Sequence, residues 1–409
     1  MPTPENGPKL VRWRHEEKIL GVLRDHGAMR RAELAAKVGL SRTTLSEIVG
    51  ELIGRGALRV VATDASARRG SGRPAELIAL DPSSGQYLGM DFAHAAIHVT
   101  VVDASYEVIG ARHRVLAADA PWEKRIAAAL ELADEIETAG ARFGALQGVG
   151  VGLPGPYSPA WSGGHTFARE ASARARRAVE NAVLERFGVT PLLDTNTRLA
   201  ALAEAVHEET VDRDLVYLRF AAGVGGGVVV GGRLVHGNRG LAGELGHVSV
   251  RRDGRTCRCG KRGCLETVAS VPAVLESCRE HGLELKSLGD LELAVERAEP
   301  VLEDVLRDAG AAAGQVLAAT VLSLNPADIV VGGVLPRIAP VFVQQVASTI
   351  TYEVHTIDGA RPRVRASELG DSSGATGAIL ALAHRTSLLA DYPGGRSTPA
   401  VPRLRRSPA

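Results

Sequence analysis

The sequence predicts an α/β protein in two parts, an N-terminal winged helix-turn-helix and a larger two-lobed body. Two observations predict this. Residues 31–52 hold two amphipathic helical patterns around a glycine, followed by two strand-like runs. From Tyr87 onward, short runs of Val, Ile and Leu alternate with helical periodicities, and the order strand, hairpin, helix occurs twice. At 409 residues the chain also exceeds one core of ordinary size. The boundaries expected are 1–80 for the head, 85–388 for the body and 389–409 for a disordered, Pro/Gly/Arg-rich tail.

In the head, Ile19, Val22 and Leu23 share one face of a first helix. Leu34, Ala35 and Val38 give a short second helix. Gly39 suits the positive φ of a tight inter-helix turn, and Ser41 suits the N-cap that follows. In the third helix Leu45, Ile48, Val49 and Leu52 form the buried stripe. Arg42, Thr43, Ser46 and Glu47 lie opposite. This is the layout of a helix presented to a DNA major groove. Leu58–Ala62 and Ala75–Leu80 are expected as strands flanking a basic loop, TDASARRGSGRP. Arg73 in that loop is placed to enter a minor groove. The expected DNA contacts are therefore Ser41, Arg42, Thr43, Thr44, Ser46 and Arg73. Charge agrees: residues 1–80 carry 14 Lys/Arg against 9 Asp/Glu, and the remainder 34 against 38. The alternative is a three-helix unit that makes only protein contacts.

In the body, YLGMDFAHAAIHVTVVD reads as strand, turn, strand. GVGVGLPGP is a buried strand ending in a loop, and TPLLDTNTRLAALAEAVHE is a strand entering a helix near Thr197. LVYLRFAAGVGGGVVVGG carries many glycines, but β-rich residues follow them, so a hairpin is expected rather than a dinucleotide turn. Residues 300–324 form a long alanine-rich helix, and ADIVVGGVLP a further strand. An uninterrupted apolar run of about eighteen residues is absent, and the N-terminus lacks a signal-peptide core. A cytoplasmic protein with no membrane partner is expected.

Three of the four cysteines fall within GELGHVSVRRDGRTCRCGKRGCLE, residues 243–266. Cys257, Cys259 and Cys264 with His247 offer three thiolates and one imidazole, the donor set of one closed, structural Zn2+. The alternative is a reduced cluster without metal. Cys278 is expected to be merely buried. A metal on His247 and Cys264 would draw Glu244 and Glu266 together. Two carboxylates and an imidazole N–H match a polyhydroxylated ligand, unless the glutamates only form surface ion pairs.

GELGH followed by CRCGKRGCLE resembles the zinc signature of the ROK family of repressors and sugar kinases. The resemblance spans about residues 10–385. It implies an actin-like (ribonuclease H-like) two-lobed fold with sugar in the cleft. It implies zinc on His247, Cys257, Cys259 and Cys264, and sugar contacts from Glu244, His247 and Glu266. The kinase members' loops are altered here. Their D-x-G-G-T-K reads DFAHAA from Asp91, and their G-T-G reads Ala221-Ala222-Gly223. Their catalytic base corresponds to Asn196, eight residues before Glu204, and Thr195 replaces a sugar-binding Asn. An amide cannot accept the proton of an attacking hydroxyl, which typically costs about 10²–10⁴ in rate. Asn196 can still hydrogen-bond a sugar, or simply cap its helix.

The expected function is a sugar-responsive DNA-binding regulator without enzymatic activity, repressing carbohydrate uptake or catabolism genes. A homodimer or homotetramer on a palindromic operator is expected. A residual sugar kinase and a ligand-independent or protein-controlled regulator are the alternatives.

Overall fold

The computed structural model describes residues 15–385 apart from 17, 24–25, 55–56, 65–74, 82–84, 104–105, 141–145, 156–165, 208–213 and 355–360. Arg73 and the tail 389–409 lie outside the described residues.

The head packs helical residues 15–16 and 18–23 with the helices Arg31–Val38 and Arg42–Gly54. Ile19, Leu23, Leu34, Ala35, Val38, Leu45, Ile48, Val49 and Leu52 are buried together as expected, while Val22 is only partly buried against them. Gly39 takes φ +67° and its N–H caps Ala35 O, which turns the chain between the helices. Strands β1 (Met29–Arg30), β2 (Leu58–Asp64) and β3 (Ala75–Leu80) form an antiparallel sheet in the order β1-β3-β2. The strand β2 runs two residues beyond the expected end, with a register shift between Val60 and Ala62.

The first lobe of the body is a sheet in the order β6-β5-β4-β7-β8. It comprises β4 (Gln86–Phe92), β5 (Ala96–Asp103), β6 (Val108–Val115), β7 (Leu146–Leu153) and β8 (Leu192–Thr195). β4, β7 and β8 run parallel, and β4-β5-β6 is an antiparallel meander. The second lobe is a sheet in the order β11-β10-β9-β12-β13. It comprises β9 (Leu215–Phe220), β10 (Val224–Val230), β11 (Arg233–Leu234), β12 (Asp328–Gly333) and β13 (Arg363–Ala366). The glycine-rich segment is the expected antiparallel hairpin, β9 with β10. The edge strands β6 and β13 are absent from the expectations above. β6 is largely exposed, so its sequence carries no continuous apolar run.

Helices Asn196–His207 and Ser373–Arg385 pack on each other between the sheets. Their closeness depends on glycine. A Cβ on Gly377 would collide with Leu199 O, and one on Gly89 or Gly150 with the carbonyls of Ala375 or Ala378. Buried Glu204 ties the first of these helices to β13, accepting from Arg365 Nη1 at 2.8 Å and from Ser367 Oγ. Helix Pro300–Leu324 is long and apolar enough to cross a membrane by composition, but Leu302, Leu306, Ala313, Leu317 and Val321 are in the second lobe's core.

Candidate functional site

His247 ends a single 3-10 turn, Leu245–His247, that begins after Glu244. The chain then forms a small antiparallel loop, with Ser249 bridged to Cys264 and Thr256 to Arg262. Gly263 lets it close: its φ is +64°, and a Cβ there would strike Arg251 O. The ligand atoms of His247, Cys257, Cys259 and Cys264 all lie within 4.8 Å of one another. His247 Nδ1 is 3.5 Å from Cys257 Sγ, and Cys259 Sγ is 3.5 Å from Cys264 Sγ. Those separations suit four ligands around one ion with Zn–S bonds of about 2.3 Å. Burial lowers His247, which favours the neutral imidazole that metals take, whereas it pushes the Cys264 thiol up to about 12 in the absence of a cation. Buried thiols persist as thiolates beside a dication. The four residues form a candidate metal centre, and Cys278, 0% exposed on helix Val271–Glu280, lies apart in the core.

Glu266 opens helix Glu266–Ala269, two residues beyond Cys264, and its side chain is 10% exposed. Its Oε2 accepts from Val224 N at 3.1 Å. Arg258 forks onto both oxygens, Nε to Oε1 at 2.7 Å and Nη2 to Oε2 at 3.0 Å. Burial raises the carboxyl of Glu244, while the charges of Arg198 and Arg258 oppose this and that of Glu266 adds to it. Glu244, His247 and Glu266 thus share one electrostatic neighbourhood, as their spacing suggests.

Asn196 is the first residue of its helix, one earlier than expected, and is 6% exposed. It packs against Gly152 and beside Asp91. From this helix it is Arg198 that acts on Glu244. Arg198 is held by Asp194 Oδ1 at 2.7 Å and Gly240 O at 2.7 Å, and His236 Nε2 meets the other Asp194 oxygen at 2.7 Å. Sequence reasoning missed Asp194, Arg198, His236 and Arg258. The signals were the i, i+4 spacing of Asp194 and Arg198 and the position of Arg258 between Cys257 and Cys259.

The altered loops have definite contents. Arg125, 6% exposed, donates to the carbonyls of Ala93 (2.8 Å), His94 (2.5 Å) and Ala118 (3.1 Å). It pins the segment that follows Asp91 through its backbone. In the second loop, Gly223 lies under Glu266: a Cβ there would sit 2.8 Å from Oε2. Asp91 is fully buried, and neither of its oxygens has a partner of hydrogen-bond geometry among the described residues. Burial raises it to about 6, against the charge of Arg219 and the Asn196 amide.

On the head, Arg42, Thr43, Ser46 and Glu47 are exposed; Thr43 and Glu47 lie opposite the buried stripe, whereas Arg42, at the first position of the helix, is in line with Leu45 and Val49 at i+3 and i+7. Ser41 Oγ caps this helix, accepting from Thr44 N at 3.1 Å and bonding Thr44 Oγ1 at 2.8 Å. These two hydroxyls are therefore partly committed to the cap.

Comparison with known proteins agrees with this architecture. A family model described as winged helix-turn-helix DNA-binding matches residues 14–59. The chain is 27% identical over 351 residues to the DNA-binding transcriptional dual regulator NagC of Escherichia coli, covering 83% of this chain and 85% of that protein. It is 23% identical to the xylose repressor of Bacillus subtilis over 370 residues, 90% and 94% of the two chains. Its fold matches that of a ROK family transcriptional regulator, a homologue of the E. coli Mlc protein. The TM-score is 0.70 at 22% identity, covering 90% of this chain and 95% of that one. A ROK hexokinase from Thermus thermophilus matches 72% of this chain and 97% of its own at 26% identity and TM-score 0.58. The ROK family model matches residues 87–386, most of the chain, and the protein belongs to the ROK family.

Proposed function

We propose that the protein is a sugar-responsive transcriptional repressor of carbohydrate uptake or catabolism genes, and not an enzyme. One observation carries this reading. A winged helix with Arg42, Thr43 and Ser46 exposed precedes a ROK body whose kinase loops are replaced. The names of its relatives, a xylose repressor and NagC among them, support it. Ser41, Arg42, Thr43, Thr44 and Ser46 contact the operator, with Arg73 from the wing. Two such heads in a homodimer or homotetramer fit paired half-sites of a palindrome.

In the body, Glu244, His247 and Glu266 bind sugar hydroxyls, with Asn196 at the cleft. His247, Cys257, Cys259 and Cys264 hold one Zn2+, whose role is to fix the wall that carries Glu266. The remaining imidazole nitrogen of His247 then faces the ligand. The sugar moves the DNA-binding equilibrium only as far as its differential affinity for two arrangements of the protein. Phosphoryl transfer is disfavoured because the position of the general base holds an amide. The cytoplasm is the compartment that fits a DNA-binding chain with free cysteines.

The test is capture of genomic fragments by the zinc-loaded protein, without and with a sugar panel, at stated salt. One palindromic site beside transport or glycoside-cleavage genes, released by one sugar, is the expected outcome. No enrichment over random fragments would overturn the repressor reading.

A further inference from the structure

Glu266 is the carboxylate that the proposed function assigns to a sugar hydroxyl, yet in this structure both its oxygens are engaged. Val224 N–H takes Oε2 from the inside, at 3.1 Å. Arg258 covers the other side with a two-point fork at 2.7 and 3.0 Å. Exposure orders the layers: the Glu266 side chain is 10% exposed and that of Arg258 61%. The arginine is therefore the solvent-side layer.

Three features make this cover movable without moving its base. Arg258 lies between Cys257 and Cys259, so its backbone is fixed wherever those two residues are fixed. Its head is exposed, and released guanidinium returns to water at little cost. The inner side of the pair cannot yield, because Gly223 backs it: a Cβ there would lie 2.8 Å from Oε2 and 3.6 Å from Arg258 Nη2. A second cation of this neighbourhood, Arg198, is 1% exposed and bonded to Asp194 and Gly240, and Lys261 donates to His247 O.

We propose that Arg258 is a displaceable cover on Glu266, and that a neutral sugar binds by exchanging this guanidinium for its own hydroxyls. Arg258 then sets the sugar concentration at which the protein responds. The inference rests on the reading that Glu266 contacts the sugar. The exposed guanidinium is weakly held on its solvent side, so its removal tightens sugar binding by about three- to tenfold.

Titration calorimetry on the full-length, zinc-loaded protein tests this, with D-xylose, D-glucose and N-acetyl-D-glucosamine as probes and zinc content measured for each variant. Arg258→Met keeps the stem and removes the fork. It should bind the active sugar about three- to tenfold more tightly, and the gain should vanish when Glu266→Gln is added. Arg258→Lys, which keeps charge but loses the fork, should lie between, and it carries the test if Arg258→Met sheds zinc. Unchanged or weaker binding in both variants, with the wild type binding sugar, overturns the cover and leaves the sugar reading standing. Failure of all three sugars to bind either wild type or Arg258→Met at tens of millimolar overturns the placement of sugar at Glu266, and the cover with it.

Discussion

Asp194 and Arg198 form a buried ion pair where β8 passes into its helix, Nε to Oδ1 at 2.7 Å, with side chains 7% and 1% exposed. The pair is one helical turn apart, so strand end and helix start are locked together at the position of Asn196. Burial alone would raise Asp194, but the hydrogen bond from His236 and the charge of Arg198 outweigh it and hold the carboxyl below its usual range. Removing one partner of such a pair leaves a buried charge exposed to a poor environment. Arg198→Ala should cost about 3–5 kcal/mol in urea unfolding. Adding Asp194→Asn should recover part of that loss. A depressed carboxyl stabilises above its unfolded value of about 3.9 and ceases to do so as pH falls through its lower folded value. The variant pair should therefore show a shallower loss of stability below about pH 4 than the wild type.

Asp91 behaves in the opposite sense. Its carboxyl is raised to about 6 by burial, so the folded protein binds a proton between about pH 4 and 6 that the unfolded chain has released. Stability then falls as pH rises through that window. Asp91→Asn is isosteric and removes the penalty. We expect it to stabilise the protein by about 2–3 kcal/mol at pH 7.5 and to have no benefit at pH 4. Denaturant melts at the two pH values check this, and a loss of stability at pH 7.5 would show that the ionised carboxylate has a partner.

Much of this was legible because it is periodic or local. The stripe of Leu45, Ile48, Val49 and Leu52 names its own buried face, and the glycine hairpin of β9 and β10 follows from the β-branched residues after the glycines. Cys257, Cys259 and Cys264 fall together because one short loop carries them. The residues that escaped notice act across the fold. Arg125 stands 31 residues from His94, and Arg198 reaches Gly240. Neither contact has a spacing that betrays it. Asn196, expected to bond a sugar or to cap its helix, packs beside Asp91 of the same sheet, a neighbour that only the strand order β4-β7-β8 supplies.

The metal centre predicts a stability change with a defined scale. A zinc site held at about a thousand times its dissociation constant adds about 4 kcal/mol to the folded state. Spread over a lobe of ordinary size, this is about 8–16 °C in melting temperature. A strong chelator should lower the melting temperature by that order, and added Zn2+ should restore it. Cys257→Ser should lose zinc by elemental analysis and melt lower even with zinc present. A variant that kept one zinc per chain would remove Cys257 from the ligand set. The predicted consequence for function is loss of the sugar response, because Glu266 follows Cys264 by two residues and Glu244 precedes His247 by three.

The head makes an electrostatic prediction that is independent of the body. Arg42 is exposed at the first position of its helix. A phosphate contact releases about one counterion, so its removal lowers the slope of log affinity against log salt by about 1. A base contact instead costs about 1–3 kcal/mol at one position of the site and relaxes specificity there. Arg42→Ala should weaken operator binding in either case. A salt series distinguishes the two: a shallower slope with unchanged sequence preference assigns Arg42 to the backbone, and an unchanged slope with relaxed preference assigns it to a base. Thr43→Ala, next to it and also exposed, carries no charge and should leave the slope untouched. Equal affinity of Arg42→Ala and wild type at every salt concentration would remove this helix face from the DNA interface.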